Sequence, residues 1–431
     1  MTPLSLPLCS KQEARKLSYP PAISIEEELA IIRRGAEDIF PEGELEEKVR
    51  RARKEGRPLR VKLGIDPTAS ELHLGHMIPI FKLKQFQDLG HHVILIIGDY
   101  TATVGDPSGR NKARPQLSHQ QVLEYAKHYE DQVFRILDRE RTEVVRNGDW
   151  FSRMSFADVI RLLSQMTLAR MIEREDFANR FREQSPIGLH ELVYPLMQGY
   201  DSCMVRADIE LGGTDQKFNI LVGRDLQREF GMEPQVGVCN PVLIGIDGRE
   251  KMSKSLGNTI ALVDPPHEMY GKTMSIPDHL MWMYYELITE VPLQEIARMR
   301  EGVERGELHP KEAKMRLARE IVARFYDEQK AREAEAHFER VIAAGEIPEE
   351  VPTHALSESS LSDGRIWIAK LLVDAGLAPS TSEARRLVLQ GGVKIDGETV
   401  RDPSLDWEAR DGAVVQVGKR KFARIQLVSR V

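Results

Sequence analysis

The fold can be predicted from the stretch Leu59-Arg60-Val61-Lys62-Leu63-Gly64-Ile65 and from the two segments that follow it. These are a helical pattern over His73–Leu89 and the stretch His92-Val93-Ile94-Leu95-Ile96-Ile97-Gly98. The apolar run in the last stretch is far shorter than the ~20 residues of a membrane span, so it predicts a buried strand. Strand, helix and strand within about 40 residues predict a parallel βαβ unit buried on both faces, with its helix broken or kinked at Pro79. Val144-Val145 indicates a third strand, and the alternation continues to about residue 245. We therefore expect a Rossmann-like, doubly wound α/β domain that binds its ligand beyond the carboxyl ends of the strands.

The composition of the 431-residue chain is that of a folded protein, with 41% hydrophobic and 29% charged residues. It has 60 Lys and Arg against 67 Asp and Glu, a net charge of −7, so any contact with nucleic acid must use a local basic patch. Cys9, Cys203 and Cys239 are far apart, which argues against a disulfide framework or a cysteine zinc site. The first ten residues have no positive charge ahead of their apolar stretch, so a signal peptide is not indicated. These features predict a cytoplasmic protein without a membrane span.

Capping signals and composition changes divide the chain further. Ser24 with Glu27 and Ser118 with Gln121 are capping boxes that predict helix starts. Near the C-terminus we expect a helix over Ile366–Leu377 and a hairpin over Val393–Val400 that turns at Asp396-Gly397. The predicted segments are a leader (1–23), the Rossmann-like domain with N-terminal helices (24–260), a helical domain (261–347), a linker (348–362) and a small α+β domain (363–431).

The first motif with chemical content is His73-Leu74-Gly75-His76, at the predicted start of a helix. A helix N-terminus offers unpaired N–H groups and a positive dipole end to phosphate, and two imidazoles there can donate to phosphate oxygens. Gly75 would let a flat nucleobase lie against bare backbone. The alternative for this motif alone is an ordinary capped helix with two surface histidines. A zinc site is set aside because the pair lacks a convincing third ligand.

The second motif is Lys251-Met252-Ser253-Lys254-Ser255, in a loop rich in glycine and polar residues. Two lysines three residues apart, beside two hydroxyls, make a flexible clamp for a polyanion. The alternative is a solvated basic loop. Together with the histidine motif earlier in the same domain, the clamp is the stronger interpretation, because the two motifs hold opposite ends of a triphosphate.

These two motifs resemble the HIGH and KMSKS signatures of class I aminoacyl-tRNA synthetases, and the rest of the chain resembles the bacterial tyrosyl-tRNA synthetase family. The residues that carry the resemblance are Gly64-Ile65-Asp66-Pro67-Thr68, Gly105-Asp106-Pro107-Ser108-Gly109, Tyr194 with Gln198 and Asp201, Gly212-Gly213-Thr214-Asp215-Gln216 and an S4-like C-terminal unit. The resemblance spans roughly residues 25–431. It implies a ligase that activates L-tyrosine with ATP and transfers it to tRNA(Tyr).

The resemblance also implies the residues that recognise tyrosine. Tyr194, Gln198 and Asp201 are spaced to share one helix face. With Asp106, the first two are expected to hold the ammonium group, and Asp201 to accept the phenol O–H. A carboxylate aimed at the phenol rejects phenylalanine, which would leave it buried and unpaired. The full set implied for tyrosine is Gly64, Asp66, Thr101, Asp106, Tyr194, Gln198, Asp201 and Gln216. Read by itself, the helix could be simply amphipathic.

The expected ATP-binding residues are Asp66, Thr68, His73, Gly75, His76, Gly213, Asp215, Gln216, Met252 and Lys254. The expected catalytic residues are His73, His76, Lys251, Lys254, Ser255, Arg110 and Arg114. Arg110, Lys112 and Arg114 resemble a mobile basic loop that holds pyrophosphate, although a solvated surface run explains them equally well. Mg²⁺ is expected to travel with ATP, and no dedicated metal site is predicted.

The C-terminal segment from Asp363 has 12 Lys and Arg against 9 Asp and Glu, a net charge of +3 that is opposite in sign to the whole chain. A basic module on an acidic protein fits contact with a phosphate backbone, and its resemblance to the S4 fold implies tRNA. The expected contacts are Arg385, Arg386 and Lys394. The alternative is a small accessory domain with scattered charges.

One residue departs from the family pattern. Many members have a tyrosine that helps to bind the substrate phenol where this chain has Lys62. Two rival functions remain at this stage: a tryptophanyl-tRNA synthetase, and a non-catalytic RNA-binding scaffold descended from a synthetase. The family also implies a homodimer, to which Met166–Ile172 could contribute apolar contacts.

Overall fold

The computed structural model describes residues 19–68, 71–108, 117–340, 351–357, 360–418 and 421–428. The chain separates into two units, one up to Asp327 and one from Glu328. Each unit is described by itself below. In the described residues, no helix combines the length and the apolar character needed to cross a membrane.

A six-stranded sheet forms the centre of the first unit. Its strands are β1 (Asp38–Phe40), β2 (Arg60–Ile65), β3 (His92–Ile97), β4 (Thr142–Arg146), β5 (Ile209–Gly213) and β6 (Val236–Asn240). They lie in the order β1-β6-β5-β2-β3-β4, and every neighbouring pair is parallel except β1 with β6. The parallel βαβ unit and the doubly wound fold are therefore confirmed. The chain order reverses between β2 and β5, which is the position where such sheets bind ligands.

Fifteen α-helices belong to the described part of this unit. They are α1 (Ile25–Arg33), α2 (Glu42–Glu55), α3 (Leu74–Asp88), α4 (Thr101–Val104), α5 (His119–Val133), α6 (Gly148–Phe151), α7 (Phe156–Leu163), α8 (Leu168–Ile172), α9 (Glu175–Arg182), α10 (Tyr194–Met204), α11 (Lys217–Glu229), α12 (Pro266–Met274), α13 (Met281–Ile288), α14 (Leu293–Glu304) and α15 (Pro310–Phe325). Both predicted capping boxes, at Ser24 and Ser118, are present.

Of the helix predicted to be broken or kinked at Pro79, the break is wrong, because α3 runs without interruption from Leu74 to Asp88. Proline has no N–H, so the Gly75 carbonyl loses its usual helical partner one turn earlier. Helix α5 ends at Val133. There the Gln87 amide accepts from the Asp138 N–H (2.9 Å) and donates to its carbonyl (3.1 Å), which holds the backbone in a turn before β4.

The second unit contains three α-helices and seven strands within its described residues. They are α16 (Glu328–Phe338), α17 (Ile368–Asp374), α18 (Thr381–Leu389), β7 (Thr353–Ser357), β8 (Arg365–Trp367), β9 (Val393–Ile395), β10 (Glu398–Val400), β11 (Asp406–Glu408), β12 (Val414–Val417) and β13 (Lys421–Val428). Five strands form a sheet in the order β10-β9-β12-β13-β7, and β8 pairs with β11. The predicted hairpin turn is confirmed by positive φ angles at Asp396 (49°) and Gly397 (87°).

The predicted linker over 348–362 is wrong in part. Thr353–Ser357 forms β7, which pairs in parallel with β13 from Thr353 opposite Arg424 to Ser357 opposite Val428. Leu356 is buried in the hydrophobic core of this unit. A strand whose partner lies about 70 residues further along the chain leaves no local pattern, because parallel pairing needs no hairpin. The strand therefore belongs to the small domain, which extends upstream of residue 363.

Candidate active site

A cavity of about 410 Å³ lies where the strand order reverses, beyond the carboxyl ends of β2 and β5. Residues from distant parts of the sequence line it. The predicted residues among them are Gly64, Asp66, Thr68, His73, Gly75, His76, Thr101, Asp106, Tyr194, Gln198, Asp201, Gly213, Asp215, Gln216, Lys251 and Met252. Lys254 and Ser255 follow the lining residue Ser253 and are not part of the lining. Arg110, Lys112 and Arg114 lie outside the described residues.

The two histidines of the first motif stand at the start of α3. The His73 backbone N–H donates to Nδ1 of His76 (3.3 Å), and the two ring centroids are 3.7 Å apart. Burial lowers the pKa of His73 to about 3, and the neighbouring His76 and Lys254 act in the same direction. His73 is therefore neutral at pH 7. Its Nδ1 is buried without a hydrogen-bond partner among the described residues.

Gly75 of the first motif lies close to Met252 of the second motif. A Cβ added there would stand 3.1 Å from the imidazole ring of His73 and 3.7 Å from Cβ of Met252. A larger side chain at this position would therefore crowd both the histidine motif and the second motif. The absence of a side chain keeps this wall of the cavity open for a flat group.

The Lys251–Ser255 loop is tied to the histidine motif by the backbone. Leu74 N–H donates to the Ile260 carbonyl and Leu262 N–H to the Leu72 carbonyl, each at 3.0 Å. Lys254 Nζ also pairs with Oε2 of Glu71 at 2.8 Å. The segment that leaves the loop thus runs beside the start of α3, and this pairing brings the two motifs together.

Asp201 also lines the cavity and is 4% exposed. One oxygen accepts from Nδ2 of Asn147 (3.1 Å) and the other from Nε1 of Trp150 (2.9 Å). Burial raises the pKa of Asp201 to about 7, against the opposing effects of the Lys62 charge and these two hydrogen bonds. The arrangement can accept an O–H from a ligand. Asn147 and Trp150 were not predicted from the sequence, and only their proximity to β4 along the chain could have pointed to them.

Asp66 joins β2 to α10 and α4. Tyr194 donates its O–H to Oδ2 (2.8 Å), and Thr101 donates its O–H to Oδ1 (2.7 Å). Burial, followed by the nearby Asp66 charge, raises the pKa of Tyr194 well above its usual value, so the phenol remains a neutral donor. The backbone approaches closely here, because a Cβ on Gly98 would lie 2.0 Å from the Asp66 carboxylate.

Asp106 is held from three sides. Gln216 Nε2 donates to Oδ2 (2.8 Å), the Ser108 backbone N–H donates to Oδ1 (2.9 Å), and the buried Arg174 guanidinium lies 3.5 Å from Oδ1. Arg174 was not predicted from the sequence, and its position is set by a further contact with Asn219 (3.2 Å). These contacts fix a carboxylate beside Gln216 at the cavity wall.

Asp215 also lines the cavity. Burial raises its pKa, the Asp106 charge raises it further, and the Lys251 charge lowers it. Among the described residues, no group of three or more His, Cys, Asp or Glu is arranged to hold a metal ion.

The predicted RNA-binding residues lie in the second unit. Arg385, Arg386 and Lys394 are exposed, the first two on α18 and the third on β9. Arg386 pairs with Glu383 at 2.6 Å, and the hydrogen bond of this pair lowers the pKa of Glu383, with a smaller contribution from the Lys421 charge.

Comparison with known proteins gives consistent matches. Residues 54–343 match the family "tRNA synthetases class I (W and Y)", and residues 366–406 match the S4 domain. The chain is 54% identical over 398 residues to the tyrosine–tRNA ligase of Moorella thermoacetica, covering 92% of this chain and 95% of that protein. It is 50% identical over 406 residues to the tyrosine–tRNA ligase of Carboxydothermus hydrogenoformans, covering 94% and 99%.

Among solved structures, the chain resembles the tyrosyl-tRNA synthetase of Archaeoglobus fulgidus complexed with L-tyrosine. The TM-score is 0.59 at 26% identity, over 72% of this chain and all of that one. A C-terminally truncated mitochondrial tyrosyl-tRNA synthetase of Aspergillus nidulans shares the fold, with a TM-score of 0.60 at 22% identity over 74% of this chain and 94% of that one.

Proposed function

The chain belongs to the class I tyrosine–tRNA ligases, and we propose how the residues of its cavity divide the reaction between them. The ligase reaction has two steps. The tyrosine carboxylate attacks the α-phosphate of ATP and gives tyrosyl-adenylate with pyrophosphate, and a 3′-terminal hydroxyl of tRNA then takes the tyrosyl group.

We assign the end of the cavity around Asp201 to the tyrosine side chain. Asp201 accepts the phenol O–H while Asn147 and Trp150 hold both of its oxygens in place. Phenylalanine lacks this O–H and would leave a buried carboxylate without its ligand partner. Tyrosine–tRNA ligases are themselves the standard example of such discrimination without editing, so this logic is general to the family and not new for this chain.

The tyrosine ammonium is assigned to the wall formed by α10 and Asp106. Tyr194, Gln198 and Asp106 line the same cavity as Asp201, and each presents an oxygen that can accept from an ammonium group. The Tyr194 O–H donates a hydrogen bond to Asp66, which leaves the lone pairs of the phenol oxygen available to accept. Gly64, Thr101 and Gln216 complete the tyrosine-binding set in this proposal.

The ATP end is assigned to the start of α3 and the loop of the second motif. His73 and His76 donate to phosphate oxygens from one side, and Lys251, Lys254 and Ser255 approach from the other. In this assignment the adenine lies against Gly75 and Met252. The ribose hydroxyls contact Asp215 and Gly213. The phosphates lie beside Asp66 and Thr68. We keep Arg110 and Arg114 as candidate ligands of pyrophosphate, on the strength of the resemblance alone.

Catalysis in this proposal comes from alignment and from charge stabilisation. Neither step requires a covalent bond to the protein, and the neutral His73 keeps one ring N–H that can donate a hydrogen bond. Enzymes of this family use ATP with Mg²⁺, which neutralises phosphate charge when bound. The described residues form no cluster suited to hold a metal, so we derive no step through the ion.

We further propose that the S4 domain binds tRNA(Tyr) through Arg385, Arg386 and Lys394. The protein is proposed to be a homodimer, because large apolar side chains between residues 156 and 189 are exposed, among them Phe156 (80%), Leu168 (62%) and Leu189 (82%). Leu168 lies within the predicted segment Met166–Ile172. The cytoplasm is the proposed compartment, since Cys203 and Cys239 are both free thiols.

The observation that carries the proposal is that residues of both motifs and Asp201 line one cavity. Amino-acid-dependent ATP–pyrophosphate exchange across all twenty amino acids tests it, and we expect exchange with tyrosine alone. Exchange with tryptophan would contradict the assigned specificity. The absence of exchange with every amino acid would contradict the enzyme function and favour the non-catalytic RNA-binding scaffold.

The roles are tested by His76→Ala and Lys254→Ala. Loss of one transition-state donor costs on the order of 2.7–4 kcal/mol, so adenylate formation should slow by about 10²–10³-fold with little change in tyrosine affinity. His128→Ala and Lys127→Ala, on the exposed face of α5, are the matched controls. An equal loss of tyrosine affinity and rate, measured by pre-steady-state pyrophosphate release, would overturn the assignment.

A further inference from the structure

Lys62 and Glu210 form an ion pair inside the sheet, directly beneath the cavity. They are paired residues on the neighbouring parallel strands β2 and β5, so their side chains leave the sheet on the same face. Lys62 Nζ lies 2.8 Å from Oε1 of Glu210, and the two side chains are 0% and 1% exposed. Lys62 is also one of the residues that line the cavity.

The hydrogen bonds of this pair are complete. The three donors of the Lys62 ammonium go to Glu210, the Ser202 hydroxyl (2.8 Å) and the Gln198 backbone carbonyl (2.9 Å). Glu210 accepts in addition from Nε2 of Gln198 (3.0 Å), from the Ser202 hydroxyl (2.9 Å) and from Nε2 of Gln235. The pair thus joins two strands to helix α10, which carries Gln198.

A buried ion pair of this kind is a poor source of stability. The desolvation of two charges offsets most of their attraction, and apolar residues of similar volume often serve the fold equally well or better. The hydrogen bonds of the pair indicate a different role, which is to hold a neighbouring residue in place. The Gln198 residue is held at its backbone carbonyl by Lys62 and at its side-chain amide by Glu210.

Glu210 also decides which way the Gln198 amide points. An ionised carboxylate only accepts, so it must face the NH₂ group and not the amide oxygen. Oε1 of Gln198 is thereby turned to the opposite side, where Nδ2 of Asn219 donates to it at 2.9 Å and its second lone pair can accept from a ligand. A flipped amide would put oxygen against oxygen at Glu210 and offer donors to an ammonium group.

We propose that Lys62 and Glu210 are positioning residues for amino-acid recognition: they fix Gln198 with its amide oxygen presented to the ammonium group of tyrosine. This inference rests on the proposed function of Gln198. The Lys62 charge has a second effect on the same helix, because it opposes the burial that raises the pKa of Asp201. In this chain, Lys62 therefore acts on tyrosine recognition indirectly, through Gln198 and Asp201.

The test measures KM for tyrosine and for ATP in the exchange reaction, with five variants of the full-length protein. Glu210→Gln can present either end of its amide to Gln198, and we expect KM for tyrosine to rise about ten-fold or more while KM for ATP changes less than two-fold. The double variant Lys62→Met/Glu210→Gln removes both charges together. Its fold is checked by thermal melting, and we expect the same selective rise. An unchanged KM for tyrosine in both variants would overturn the inference.

Gln198→Ala separates positioning from a general structural effect. If Glu210 acts through Gln198, then Gln198→Ala/Glu210→Gln has a KM for tyrosine within two-fold of Gln198→Ala alone. Effects that multiply would refute the proposed positioning role. If Gln198→Ala itself leaves KM for tyrosine unchanged, the error lies in the proposed function and not in the geometry of the pair.

A second buried ion pair, Arg53 with Glu28, is the matched control. It joins α2 to α1, its side chains are 14% and 0% exposed, and neither residue lines the cavity. Arg53→Met/Glu28→Gln should lower the melting temperature without changing KM for tyrosine. A rise in KM for tyrosine equal to that of Lys62→Met/Glu210→Gln would show that loss of any buried pair has this effect, and would overturn the inference.

Discussion

Acidification should weaken the binding of tyrosine through one group, Asp201. Its pKa of about 7 means that the carboxylate is mostly ionised at pH 8 and mostly protonated at pH 6. Only the ionised form can accept the phenol O–H while it also accepts from Asn147 and Trp150. The ionised fraction falls about ten-fold between these pH values, so the Kd for tyrosine should rise about ten-fold.

The same shift predicts that the stability of the fold changes with pH in the opposite direction to tyrosine binding. A carboxyl whose folded pKa lies above its unfolded value near 3.8 contributes stability below pH 3.8, and this contribution is lost as the pH rises through about 7. At 1.36 kcal/mol per pH unit, the ionised form of Asp201 therefore costs the fold about 4 kcal/mol at pH 8. Asp201→Asn removes this cost, but its NH₂ group opposes one of the two donors, at about 1–3 kcal/mol. A net gain of about 1–3 kcal/mol at pH 8 is expected.

Equilibrium titration of tyrosine without ATP, from pH 6 to pH 8, is the assay for binding, and denaturant unfolding at pH 8 is the assay for stability. Asp201→Asn is the control for the unaltered protein, because its Kd for tyrosine should be high and should not change with pH in this range. His73 does not interfere, since its pKa of about 3 lies far below the range. A Kd that is independent of pH in the unaltered protein, or a pH dependence that persists in Asp201→Asn, would contradict the role given to Asp201.

Three further predictions concern other parts of the molecule. Glu71→Gln releases Lys254 from an exposed ion pair worth at most about 1 kcal/mol, so KM for ATP should fall by no more than about five-fold in exchange assays, and a rise would show that Glu71 assists ATP binding. Removal of residues 341–431 takes away the whole five-stranded sheet and should abolish tRNA charging while ATP–pyrophosphate exchange persists; charging by the truncated protein would exclude an RNA role for that unit. Phe156→Asp should shift the sedimentation coefficient from dimer to monomer, with Leu389→Asp at another exposed apolar position as the control, and an unchanged dimer would place the interface elsewhere.

Local sequence signals predicted the elements that depend on local physics. The capping boxes at Ser24 and Ser118 satisfy orphan N–H groups within one turn, and the Asp396-Gly397 turn needs only two positive φ angles. The apolar run in β3 required burial on both faces, which only a covered parallel sheet provides. These features set the fold class, and with it the edge of the sheet where the cavity lies.

Contacts between distant segments could not be predicted in this way. The strand β7 lies in a segment whose composition predicts a linker, and its parallel pairing with β13 is not predictable because the partner lies far along the chain. Asn147 and Trp150 lie on a short segment after β4, and nothing in their spacing shows that both side chains turn toward Asp201 on α10. The Glu71–Lys254 pair was missed for the same reason, since it joins residues 183 positions apart.

Lys62 shows why a departure from a family pattern is informative only with the structure. In the sequence, a lysine in the middle of an apolar strand conflicts with burial, because an unpaired buried ammonium is costly. The register of β2 and β5 resolves the conflict by placing Glu210 directly opposite. A substitution of either residue alone leaves the buried charge of its partner unpaired, so it destabilises the fold more than the exchange of both residues. The two residues therefore act as one unit, and the Gln198 residue that they hold is the link through which this unit reaches the cavity.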